Sequence, residues 1–442
     1  MVSDDDLAPY QGSPLPSRRT TRRALLAGAA TLGVGGVASQ VGLGPIEARS
    51  PQEDVWPQAD YDPAGTAHNP VAEPPPSPGI DWRRDVVDPP TAGGVDCVVG
   101  PETAVVAGAA VVAVDRSDGR EVWRDEGPAG PLALGDGRLF VGSWGLGRLR
   151  ALSTDGEELW DRRLPVRDVE TLVYAGGRVY AADGSGLCAH DAGDGSPLWA
   201  SDRGVDSVVI TGGRLHAGGL ELTGFAARSV LDSVLGSPPT AAWESQATPS
   251  GLVGTTQGLV AGVARGDRDQ AGGASLVARA PGTGAVRWRA RADVQAEFVH
   301  VPLAATGSRC LAGVSTETGL PNAVASHRLE DGERVWRRQF EHRVTDAAVV
   351  DGAAILGTRA TGVGEPDGDL IALDPGGEEL WRVDPWPAEG CDGVAPVDRT
   401  VFAWTEEGDG RGAPVGFAPS PVVQPSGRGR GSARCRRGGT RK

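Results

Sequence analysis

A chain of 442 residues with 39% hydrophobic content carries enough apolar mass for a large packed core, so its 66 glycines and 34 prolines do not make it a disordered polymer. The formal net charge is −15, and residues 421–442 hold seven of the 43 basic residues and no acid, which leaves 36 bases against 58 acids elsewhere. A body this acidic repels nucleic acid and anionic surfaces, which argues against both as partners, and with Lys442 as the only lysine it points to a halophilic setting where salt screens the self-repulsion.

Residues 1–16 are polar and acidic, and a basic stretch from Ser17 to Arg23 then runs into Ala24-Leu25-Leu26 and the small, apolar run Ala27–Ala38. A basic region ahead of a short apolar one reads as an export signal over residues 1–40. The pair Arg22-Arg23 before Ala-Leu-Leu resembles a twin-arginine signal, which implies export in the folded state to a secreted or cell-surface location. The apolar run is too short and glycine-rich for a comfortable membrane span, so membrane contact is expected only if the segment stays uncleaved. Residues 41–78 read as a linker and lead-in, 79–419 as the repeat domain, and 420–442 as a disordered basic tail.

A repeat organises the centre of the chain. Glycine stands four residues ahead of tryptophan at Gly119/Trp123, Gly156/Trp160, Gly195/Trp199, Gly284/Trp288, Gly332/Trp336 and Gly377/Trp381. Trp243 keeps the period with Pro239 in the glycine place, and Trp82 opens the series. Successive tryptophans are 41, 37, 39, 44, 45, 48 and 45 residues apart, the length of one repeated supersecondary unit. Within each unit short apolar runs alternate with glycine turns, which predicts all-β structure with four strands per unit. The glycine suits a hairpin turn that needs positive φ, and the tryptophan offers a flat face for the neighbouring unit to cover. After Trp381 only three more strands are expected, near Asp392–Val397, Val401–Trp404 and Val415–Ala418. Ile80-Asp81-Trp82 would supply the fourth. The expectation is therefore an eight-bladed β-propeller of four-stranded blades closed by an N-terminal strand, with seven blades as the fallback if the unit between Phe225 and Trp243 fails to form.

The units Ala113-Val114-Asp115, Ala189-His190-Asp191 and Ala372-Leu373-Asp374, each followed by its Gly and Trp, resemble the AxD…G…W repeat of PQQ-like propellers. The string from Trp56-Pro57-Gln58 through Asp62-Pro63-Ala64 to Asn69-Pro70 resembles the lead-in that packs ahead of the first blade in that family. The family includes quinoprotein dehydrogenases, a barrel-assembly lipoprotein and exported proteins without a known ligand. Its dehydrogenase members would imply a cysteine pair, calcium ligands, a catalytic aspartate and PQQ.

This chain lacks that motif set: no two cysteines are adjacent, and asparagine occurs only at Asn69 and Asn322. Cys97, Cys188, Cys310, Cys391 and Cys435 stand far apart, and the first four read as isolated buried thiols. None of the six histidines falls at metalloprotease spacing, and His190 and His216 lie in expected strands as structural residues. Asp183-Gly184-Ser185-Gly186 and Gly364–Asp369 are acidic glycine loops of a kind that can hold calcium. No catalytic, cofactor or metal residue is assigned, and no cofactor is expected, PQQ with calcium being the alternative. The functional expectation is a monomeric, non-enzymatic propeller binding a protein partner or an extracellular ligand. A PQQ-dependent oxidoreductase and an assembly factor for envelope proteins are its alternatives. Binding is expected on rim loops, the longer being Gly266–Gly273, Thr316–Pro321, Thr361–Asp369 and Glu406–Ala413.

Overall fold

A computed structural model describes residues 55–76, 78–84, 94–226, 237–263, 275–291, 299–315, 321–360, 368–383, 390–406 and 412–419. The export signal with Arg22 and Arg23, the basic tail, and most of the four longer loops lie outside these residues. The described strands form eight four-stranded antiparallel sheets. Seven are contiguous meanders, blades one to seven, at residues 96–125, 132–163, 171–201, 207–245, 249–291, 299–339 and 343–383. The unit between Phe225 and Trp243 pairs in register, Gly224 opposite Trp243, and so contributes a full sheet as blade four.

The closing blade takes its three inner strands, Gly393–Val397, Thr400–Glu406 and Gly412–Pro419, from the end of the repeat domain. Its outer strand, Pro78–Arg83, comes from the beginning, with Ile80 opposite Phe417 and Trp82 opposite Gly416. Innermost strands of consecutive blades touch all the way round, and that of the closing blade meets that of blade one. The ring is shut, which leaves no inner sheet edge to template aggregation.

Several strands show none of the two-residue alternation of a half-exposed sheet. Val111–Val114, Val179–Ala182 and Ala353–Leu356 are buried at every position. The reason is that an inner strand has a blade on each side, so both of its faces are covered, and near-continuous apolar runs replace the two-residue period. Among the described residues it is outermost strands, such as Glu121–Asp125, that expose most of one face.

The repeat tryptophans join one blade to the next. A Cβ built on Gly119 would stand 2.4 Å from Trp82, one on Gly195 would stand 2.6 Å from Trp160, and one on Gly332 would stand 2.5 Å from Trp288. Gly156, Gly284 and Gly377 lie in the same way against Trp123, Trp243 and Trp336. Each glycine thus receives the indole of the preceding blade, and each adopts positive φ, between 69° and 88°. The indole N–H then donates to a carbonyl in that same turn: Trp82 to Arg116, Trp123 to Thr154, Trp160 to Ala192, Trp243 to Pro281, Trp288 to Leu329 and Trp336 to Pro375. The aspartate of the AxD element shapes the turn by accepting a backbone N–H two residues on, as Asp115 does from Ser117 and Asp191 from Gly193. Trp199 is buried at 5% exposure beside Tyr180. Trp381 faces the closing blade, where two chain ends replace the Gly-x3-Trp turn, and among the described residues its Nε1 finds no acceptor.

Candidate functional site: an encircling belt, an acidic centre and a groove

The lead-in does more than precede blade one. Residues 56–73 run once around the ring and bond to the innermost strand or adjoining turn of every blade in order. Trp56 and Val99 exchange two backbone hydrogen bonds; Leu134 N donates to Pro57 O; Tyr174 N donates to the Gln58 side chain. Ile210, Gly254 and Ala305 then donate to Pro63, Ala64 and Thr66. Val349 donates to Ala67 and receives from Asn69 N, while Asn69 Nδ2 reaches Pro396 O and Glu73 N reaches Asp398 O in the closing blade. All these contacts fall at or near the C-terminal ends of the inner strands, so the belt lies on one face. Antiparallel alternation puts the Gly-x3-Trp turns on that same face.

Its curvature needs unusual backbone. Tyr61 (φ 69°), Gly65 (φ 64°) and Ala67 (φ 45°) are all left-handed, and the two non-glycine positions cost about 1–2 kcal/mol each. Asp62 holds the bend, accepting from Ala64 N, Thr66 N and the Thr66 hydroxyl. Trp56 packs against Tyr61 at 5.2 Å between rings and donates to Ala59 O.

Inside the belt the charges are negative. Burial, followed by the charges of Asp346, Asp62 and Asp96, pushes Asp60 up to about 7. The residue is nevertheless exposed to solvent. Asp96 and Asp346 each join two blades: Asp96 accepts from Leu132 N, and Asp346 accepts from Val394 N. Burial outweighs those bonds and raises both carboxyls to about 6. Among the described residues no three His, Cys, Asp or Glu side chains are arranged to hold a metal ion. PQQ bears three carboxylates and needs cationic or N–H donors, whereas the described residues at this centre offer carboxylates. They do not fit such a group.

Against the first residues of the belt a cavity of about 550 Å³ opens between blades one and two. Pro57, Gln58 and Tyr61 form its inner wall, Val122 and Trp123 of blade one its outer wall, and the blade-two turn Gly135–Arg138 closes it. Tyr174, stacked at 5.4 Å on Phe140, fixes the far side. Glu102, Asp136 and Asp155 stand exposed around it, with Arg138 as the basic residue among the lining groups.

Other expected candidates resolve as structure. His190 Nδ1 meets Gly195 O at 2.9 Å, and His327 and Arg279 make the same contact to Gly332 and Gly284 in their own blades. His216 is fully buried beside Trp243, and burial, against the Thr211 backbone, pushes it down to about 4. In the Asp183 loop the carboxylate serves the turn itself: Oδ1 accepts from Ser185 N, Ser185 Oγ and Gly186 N, and Oδ2 from Arg167 N and Asp168 N. Asp369, the described end of the other acidic loop, is ion-paired to Arg382. Cys97, Cys188, Cys310 and Cys391 are buried free thiols, and Cys435 lies outside the described residues.

The geometry defines a PQQ-like β-propeller with a belt across one face. The chain belongs to the family whose model, described as outer membrane protein assembly factor BamB, matches residues 107–230 and 237–390. No curated protein matches it in sequence. Among solved structures it is similar to a europium-containing methanol dehydrogenase (13% identity, 83% of this chain and 98% of that one, TM-score 0.57). It also resembles BamB from Moraxella catarrhalis (14%, 77% and 97%, 0.53). The computationally designed Ika8 protein is similar as well (13%, 79% and 99%, 0.56). Identities this low establish a shared fold and nothing about activity.

Proposed function

We propose that the protein is an exported, non-enzymatic propeller that presents a rigid ring for binding a protein partner or an extracellular ligand. The observation that carries this reading is the belt. It ties all eight blades together, surrounds an acidic centre ill-suited to an anionic quinone, and leaves an open, aromatic-walled groove beside it. Ligand sites with a largely apolar lining and a few convergent polar groups have this form. The test is incubation of the purified protein with PQQ and calcium. The expected outcome is no saturable binding and no dye-linked alcohol or sugar oxidation, and either activity would replace the scaffold with a quinoprotein dehydrogenase. Assembly of envelope proteins, suggested by the family's name, is one form such partner binding takes.

A further inference from the structure

We infer that the groove between blades one and two is a docking site for an extended, arginine-bearing segment of a partner protein; this rests on the scaffold reading and specifies its partner. Three acidic side chains from three separate turns converge on one cavity. Glu102 lies on the first turn of blade one, Asp136 on the first turn of blade two, and Asp155 on the Gly-x3-Trp turn of blade two. All three are exposed. Between them Trp123 is only partly covered, one side taken by Gly156, and Val122 is 53% exposed. An indole beside a ring of carboxylates suits a guanidinium, which stacks on the ring and donates in the plane to oxygen acceptors. Long aliphatic stems then cover the valine.

The wall can receive such a segment without reorganising. Gln58 is fixed by Tyr174 N, Tyr61 by Trp56, and Trp123 by its bond to Thr154 O. A preorganised site loses little entropy on binding. The charge of the whole chain adds to this, since 58 acids against 43 bases steer a cationic segment inward.

The experiment uses the full chain and fluorescence anisotropy of a labelled nonapeptide carrying three arginines, with citrulline in their place as the neutral control. Saturable binding of the arginine peptide alone is expected. The combined Glu102→Gln, Asp136→Asn and Asp155→Asn variant should weaken it about tenfold or more, with the unfolding midpoint retained. Asparagine tolerates the left-handed backbone at Asp136, so that variant folds. The matched variant Glu330→Gln, Asp331→Asn and Glu333→Gln removes the same charge from an exposed turn of blade six and should leave the affinity within about twofold.

Equal weakening by both variants would overturn the inference, reducing it to attraction by a generally acidic surface. So would absence of binding. Binding seen only after residues 421–442 are deleted would also overturn it, because the groove would then belong to the chain's own basic segment. Failure of any of these leaves the PQQ test, and with it the scaffold reading, unaffected.

Discussion

The blade-to-blade contact of Gly195 and Trp160 can be separated from ordinary turn strain by a pair of matched substitutions. In Gly195→Ala two penalties combine. The residue sits at φ 71°, where an L side chain costs about 1–2 kcal/mol. Its Cβ would also stand 2.6 Å from Trp160 Cε3, 2.8 Å from Cδ2 and 2.9 Å from Arg162 Cγ. The indole has nowhere to retreat, being tied to Ala192 O and backed by Phe140 at 6.0 Å between rings. Overpacking of that kind costs about 1–3 kcal/mol. Gly177 in the same blade has φ 72° with nothing within 4 Å of its would-be Cβ, so Gly177→Ala carries the backbone cost alone. Urea midpoints at matched m-values should therefore place Gly195→Ala about 1–3 kcal/mol below Gly177→Ala. Equal losses would refute the assignment of this glycine to an inter-blade contact.

The acidic centre makes stability fall with alkalinity. Because Asp60 is raised from 3.8 to about 7, the folded state holds its proton more tightly than the unfolded chain, so stability drains away as pH climbs from about 4 to 7. Asp60→Asn should flatten that slope and raise the melting temperature at pH 8; a lower one would contradict the electrostatic account. Arg150 is buried between Asp125, Glu158 and Pro128 O, joining blade two to blade one. Arg150→Ala should cost about 3–5 kcal/mol by stranding a partly buried carboxylate and opening a void, measured by urea unfolding. Burial raises the thiols of Cys188 and Cys310 to about 12, and those of Cys97 and Cys391 well above their ordinary value. Those four should resist an aromatic disulfide reagent in the native protein and react on unfolding, counted spectrophotometrically.

Tryptophan periodicity and glycine placement, read along the chain, determine the blade length, the turn chemistry and the closure by Trp82, because these are local properties repeated often enough to be unmistakable. The self-bonded turn of Asp183 with Ser185 and Gly186 is local chemistry too, although the composition of that loop alone points to calcium. What the sequence could not disclose is which blade each indole serves. Trp160 and Gly195 are separated by a whole unit, and only the ring brings them into contact. The belt is the clearest case. Trp56 to Asn69 carries a recognisable string, yet its circuit is decided by free backbone groups at the ends of inner strands, and no residue type marks those. The acidic centre and the groove arise in the same way: Asp60, Asp96 and Asp346, or Glu102, Asp136 and Asp155, lie tens to hundreds of residues apart. Their meeting is a consequence of circular symmetry, which the one-dimensional chain does not contain.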